Sequence, residues 1–258
     1  MMTADSVYGK PHFTLPQQVS QLVERGMDCG NASVAYRELE RYGYYRLSGY
    51  WYPFREVPRP PAPSEDDLGR EIRLETFVEG TSLSKIVEIY KFDDELRTRL
   101  GSVLSAVEVA FRFFVSHRMG KVDPFIHRKP DLFEMVTQDE NGEPRILPTY
   151  EEWIEEYDRL EKRAKSSFVQ HFREKYGPHL PLWVATEVMS FGALSRFFDL
   201  MPQEDKRVIA DRLQVSRQNK EGRLVGETEV LSNWLNSFRH ARNLCRHYSR
   251  IWNRVFDL

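Results

Sequence analysis

Cysteine is scarce: Cys29 and Cys245 are the only two in 258 residues, far apart and outside any metal-ligand spacing. That argues against a disulfide scaffold or a cysteine-built metal site. It fits a chain kept in a reducing cytoplasm, with both thiols buried as small hydrophobes. An excess of charge of one sign is also lacking, the formal net being −2, so any attraction for a polyanion has to be local. Long apolar runs are missing too. The richest stretch, VLSAVEVAFRFFV, is interrupted by Glu108 and Arg112, and no membrane span is expected. The first residues, MMTADSVYGK, have neither a basic start nor an apolar stretch, so no secretory signal is expected.

What the chain does contain reads as helix nearly throughout, with 41% apolar residues to build a core. Thr14, Leu15 and Pro16 open a helix that stops near Gly26, and a second covers Ala32 to Arg41. The tract YGYYRLSGYWYPF is too aromatic for a loop and is read as a core-facing helical turn, although its tyrosines and Arg46 are also candidates for contacting bases. Residues 57–67 form a proline-rich, acidic connector, and 71–79 a short strand or extended arm. Leu83, Ile86, Val87, Tyr90, Leu96, Leu100, Val103, Leu104, Val107, Phe111 and Phe114 recur with helical period and predict a long central helix from about Ser82 to Arg118. Thr149 followed by Glu152 reads as a capping box for a polar helix to about Tyr176. Shorter helices follow at 181–190, 193–200 and 203–214, then a polar loop QNKEGRLVGET, then a last helix from near Glu227. The expectation is one all-α domain over 1–258, with an N-terminal helical subdomain at 10–56.

The charge asymmetry is in RHARNLCRHYSRIWNR, residues 239–254, which holds five arginines, two histidines and no carboxylate. Wound at 100° per residue, Arg239, His240, Arg242, Asn243, Arg246, His247, Arg250 and Arg254 share an arc of roughly 160°. Val230, Trp234, Ala241, Leu244, Cys245, Tyr248, Ile251 and Trp252 face the other way. Like charges at i,i+4 repel, so the stripe calls for an anion. That anion is an acidic surface, such as the Glu151, Glu152, Glu155, Glu156, Asp158 group or a partner's, or else a phosphodiester backbone, which the arginine fork fits.

Histidine within the stripe favours the second option and suggests chemistry. RNA carries its own nucleophile in the 2′-hydroxyl, and cleavage needs a group that exchanges a proton near neutral pH and a cation to hold the charge building on phosphorus. His247 supplies the first, Arg242 the second, and Asn243, one turn before His247, can orient the imidazole or contact RNA. The spacing alone is unspecific. Arg, four to six residues, then His occurs three times, about what chance provides in so short a motif. Arg173 to His179 is broken by Gly177 and Pro178, and Arg112 to His117 lies where Arg112 can pair with Glu108. Asp93 and Asp94 are read as ion-pair partners of Arg97, and no metal site or cofactor is expected.

The wider string is more specific. RNLCRH, Tyr248 and SRIWNR resemble the C-terminal signature of the AbiD/AbiF-like abortive-infection proteins. KPHFTLPQQVSQLVERG, YYRLSGYWYPF, IYKFDDELR with VEVAFR, and PLWVATEVMSFGALSRFF follow that family's order from about residue 9 to 255. Arg246 and Tyr248 depart from it, standing where small and histidine residues are commoner. The resemblance implies a HEPN-like helical bundle with a long central helix and extra N-terminal helices. It also implies a metal-independent endoribonuclease toxin of phage defence, and association with a structured noncoding RNA. On this sequence the catalytic set falls on Arg242, Asn243 and His247, with Arg239, Arg246, Arg250, Arg254, Arg112 and His117 as candidate RNA contacts. Arg242 and His247, five residues apart, point roughly 140° apart around a helix, which favours a homodimer that pools two sets. The rival readings are a noncatalytic RNA-binding module and a basic protein-docking surface.

Overall fold

The computed structural model describes residues 9, 11–60, 62–66, 69, 71–138, 141, 143–218 and 222–255. Lys10, parts of the proline-rich connector and of the expected polar loop, and 219–221 lie outside the described residues. The chain is all-α in class. Ten α-helices are present among the described residues, beside two short hairpins. It divides into two compact units, one holding the residues up to Arg97 together with Arg250–Arg254, the other Thr98–Ser249.

In the first unit, α1 (Leu15–Glu24) starts at Thr14, where Thr14 and Gln17 form a reciprocal capping box. Asn31 caps α2 (Ala32–Tyr42), and Gly43, with φ +84°, makes the corner into α3 (Tyr44–Trp51). The dense aromatic tract is thus helical, but not all of it is core: Trp51 and Tyr50 are buried while Tyr45 is 91% exposed. Residues 71–79 form an extended arm without a named strand, tied by an isolated bridge from Phe77 to Arg55. The first part of α4 (Leu83–Gly120) completes this unit, with Leu83, Ile86 and Val87 buried against Leu22, Leu39 and Trp51.

The rest of α4 belongs to the second unit. Along α4 the expected apolar stripe needs correction: Leu96 and Val103 are exposed, whereas Asp93, Arg97 and Glu108 are among the buried residues of the helix. By length and composition alone α4 is sufficient to cross a bilayer, contrary to the reading of Glu108 and Arg112 as interruptions. Those two residues are instead paired with each other at i,i+4, and Arg112 also donates to backbone carbonyls of neighbouring protein segments.

Residues 121–147 hold two 3-10 turns and an antiparallel hairpin, β1 (Val136–Gln138) with β2 (Pro144–Ile146). The next helix begins at Leu147 and Pro148, so Thr149 is inside it and caps nothing. It is also not continuous to Tyr176: α5 (Pro148–Arg163) ends, and α6 (Ser167–Tyr176) starts afresh. Arg173 folds back to bond the Glu161 and Ala164 carbonyls at 2.6 and 3.3 Å, satisfying the acceptors that the break exposes. Then come α7 (Leu182–Val188), α8 (Phe191–Leu200) and α9 (Gln203–Arg212). The core is aromatic. Trp153 stacks between Tyr157 and Phe197 at 5.6 and 4.9 Å, and its indole N–H donates to Ala193 O at 2.8 Å.

The expected polar loop is in part a second hairpin, β3 (Ser216–Gln218) with β4 (Leu224–Gly226). Gly226 is needed there, because a Cβ would stand 2.3 Å from Arg207 O on α9. The last helix, α10 (Thr228–Arg246), starts where expected and buries Leu231, Leu235, Leu244 and Cys245.

Candidate active site

α10 ends sooner than its charge pattern predicts. His247 is the C-cap, and Tyr248 takes the left-handed conformation at φ +53°. Tyr248 N–H bonds Cys245 O at 3.3 Å and Ser249 N–H bonds Leu244 O at 3.0 Å, the paired bonds of a Schellman stop. Arg250 and Arg254 therefore do not continue the arginine stripe. They belong to the first unit, where Arg250 donates to Gly49 O. Ile251 and Trp252, expected on the docking face of the helix, are held there by Asp93, whose carboxylate accepts their N–H groups at 3.3 and 2.7 Å. Asp93 also accepts from Tyr50 Oη at 2.6 Å and pairs with Arg97, while Trp252 stacks on Tyr50 and Phe54. The SRIWNR string thus serves packing. Val230 and Trp234, also expected to dock, are 38% and 49% exposed.

What remains at the end of α10 is Arg239, Arg242, Asn243, Arg246 and His247. Arg239, Asn243, Arg246 and His247 are exposed, and no hydrogen bond ties the His247 imidazole to a described residue. Arg242 is ion-paired and not hydrogen-bonded to Glu108: its Nε lies 3.3 Å from Glu108 Oε2 without a hydrogen-bond partner, and Nη1 reaches Asn243 Oδ1 at 3.5 Å. Its side chain keeps 29% of its surface. Arg246 bonds Ser105 Oγ at 2.8 Å, and a Cβ on Gly101 would sit 3.6 Å from Cys245 Cβ. Gly101, Ser105 and Glu108, one face of α4, therefore carry Cys245, Arg246 and Arg242.

Glu108 serves a second arginine. Arg112 donates to Glu108 Oε1 at 2.6 Å, to Thr186 O at 2.5 Å and to Met189 O at 3.0 Å. Only 13% of its side chain is exposed. The pairing of Arg112 with Glu108 was legible from the i,i+4 spacing. That the same carboxylate pairs with Arg242 was not, since those residues are far apart in the chain. His117 lies nine residues beyond Glu108, about 13 Å along the helix, and stacks on Phe113 instead of joining the pair.

The acidic face of α5 does not take up the stripe. Glu156 pairs with Arg196, and Asp158 and Glu161 with Arg128. The arrangement offers a partly exposed guanidinium ion-paired to a buried carboxylate, an amide beside it, an accessible imidazole at a helix end, and two further exposed arginines. Such a set can hold phosphate oxygens and exchange a proton. Among the described residues no three His, Cys, Asp or Glu are grouped to hold a metal.

A family model described as Abi-like protein matches residues 37–253. No curated protein and no solved structure matches the chain.

Proposed function

The chain belongs to the Abi-like protein family, an abortive-infection group, and from that premise we propose that it is an endoribonuclease toxin of phage defence, of the HEPN superfamily and the AbiD/AbiF type. Arg242, Asn243 and His247 form its site. The observation that carries the reading is Arg242, ion-paired to Glu108 and partly open, at the same end of α10 as the exposed Asn243 and His247, with no α5 carboxylate paired to any of them among the described residues.

The chemistry follows from those groups. The His247 imidazole takes the proton of the 2′-hydroxyl, whose oxygen attacks the adjacent phosphorus. The 5′-oxygen leaves as that bond breaks and takes a proton from an imidazolium, giving a 2′,3′-cyclic phosphate and a 5′-hydroxyl. Arg242 holds the non-bridging oxygens while charge builds on them. Because Arg242 and His247 project roughly 140° apart, two copies of α10 related by a two-fold axis supply one complete set each way, the second histidine acting as the acid. Arg239 and Arg246 hold the flanking backbone, and a structured noncoding RNA is the partner that restrains the toxin.

The test is product chemistry. Single-stranded RNA incubated with the purified protein in EDTA yields fragments ending in cyclic phosphate, and His247→Ala yields none. Fragments of another end chemistry, or equal cutting by His247→Ala, overturn the reading. Salt-sensitive retention of RNA with no cutting by the parent replaces it with a noncatalytic RNA-binding module.

A further inference from the structure

A second feature of the Thr98–Ser249 unit is unused by that chemistry. Near the end of α4 the His117 ring stacks on Phe113 at 5.3 Å, with the planes 9° apart. Across the same cleft, of about 420 Å³, lies Trp183 of α7. Gly120 lines the cleft beside the indole, where an added Cβ would stand in contact with Trp183 Cε3 at 3.4 Å. Phe113 and Trp183 remain 57% and 49% exposed. Two aromatic faces thus stand open on one cleft.

The charge around the rings selects the occupant. A smaller adjoining cleft shares His117 and Lys121 and adds Arg118 and Arg212, and no aspartate or glutamate lines either one. Arg118 is paired with Asp205, but Lys121 and Arg212 are exposed and form no ion pair with a described residue. Rings beside uncompensated cations, in a chain of net charge −2, match a ligand that alternates π-faces with phosphates.

We propose that this cleft binds single-stranded RNA, stacking an unpaired base on Trp183 and on the His117–Phe113 pair and holding the neighbouring phosphate on Lys121 and Arg212. It rests on RNA being the ligand of this protein, and not on cleavage at His247. In this role the Arg112–His117 match splits: Arg112 braces the fold, and His117 meets RNA as a ring.

The test uses a short fluorescent RNA strand methylated at every 2′-oxygen, which lacks the nucleophile and cannot be cut, with binding read by anisotropy. Trp183→Ala and Lys121→Glu each weaken binding roughly tenfold, while Tyr176→Ala, an exposed aromatic on α6, binds like the parent. Lys121→Glu and Tyr176→Ala melt at the parent's temperature, since those side chains are exposed, and Trp183→Phe, which keeps a ring at the half-buried position, keeps the binding that Trp183→Ala loses. Parent-like affinity in both cleft variants overturns the proposal, as does a parent that binds no strand. So does a result in which the variants lose only self-association by sedimentation and keep RNA. Cleavage of unmodified RNA is scored separately, so a parent that binds but never cuts refutes the nuclease reading and leaves this one standing.

Discussion

The two arginine–histidine pairs of one spacing, Arg112 with His117 and Arg242 with His247, lie in the same unit and share a carboxylate, yet their surroundings differ. Arg112 is spent: Glu108 and two backbone carbonyls take its N–H groups. Arg242 touches the same Glu108 from the other side and keeps part of its guanidinium open. His117 continues a helix and stacks on a ring, whereas His247 closes a helix and carries its imidazole into solvent. Spacing therefore nominates residues, and the number of acceptors already around a guanidinium decides between bracing and binding.

Several substitutions sharpen or break this contrast. His247→Ala is expected to cut the RNA cleavage rate by about 10²–10⁴, the usual contribution of a positioned acid–base group, with the melting curve unchanged. A drop that tracks loss of folded protein would place His247 with the bracing residues. Arg112→Ala is expected to cost about 3–5 kcal/mol in urea unfolding, since it leaves a buried carboxylate short of a partner. Arg242→Ala, more exposed, should cost about 1 kcal/mol or less, and equal losses would erase the distinction.

A third imidazole extends the comparison. His127 is fully buried, and burial, assisted by the nearby Arg128, pulls its pKa from the ordinary 6.5 down to about 3. The unfolded chain then binds a proton that the folded chain refuses. The stability His127 contributes is complete above about pH 6.5 and is lost as pH falls toward 3. The urea midpoint of His127→Phe, taken relative to the parent, should rise as pH falls through that window. A constant difference would contradict the assignment. The smallest effect belongs to Arg246→Ala: RNA affinity falls a few-fold and the log–log salt slope shrinks by about one.

Much of the fold was legible. The helix start at Thr14, the limits of α2 and the extent of α4 followed from Pro placement and period, whereas the reciprocal cap of Thr14 with Gln17 came from the structure and the one read at Thr149 is absent. What failed had a common cause in residues whose role depends on distant partners. The i,i+4 pairs of Asp93 with Arg97 and of Glu108 with Arg112 were legible, but their burial was not, because it depends on Tyr50, Ile251 and Trp252 around Asp93 and on Arg242 beside Glu108. The break between α5 and α6 depends on Arg173 reaching back, and the end of α10 on a Tyr248 turn followed by the hold of Asp93 on Ile251 and Trp252. The candidate site was read from the motif and its basic setting, while the Glu108 pairing with Arg242 needed the fold. Arg250 and Arg254 fall on the stripe only if helical winding continues past Arg246, where the helix stops.

The most direct test is single-turnover RNA cleavage in EDTA by the parent, Arg242→Ala and His247→Ala at matched concentrations of folded protein. The parent is expected to cut, and each variant to lose at least about a hundredfold in rate. An inert parent, or variants that cut at the parental rate, would contradict the nuclease reading.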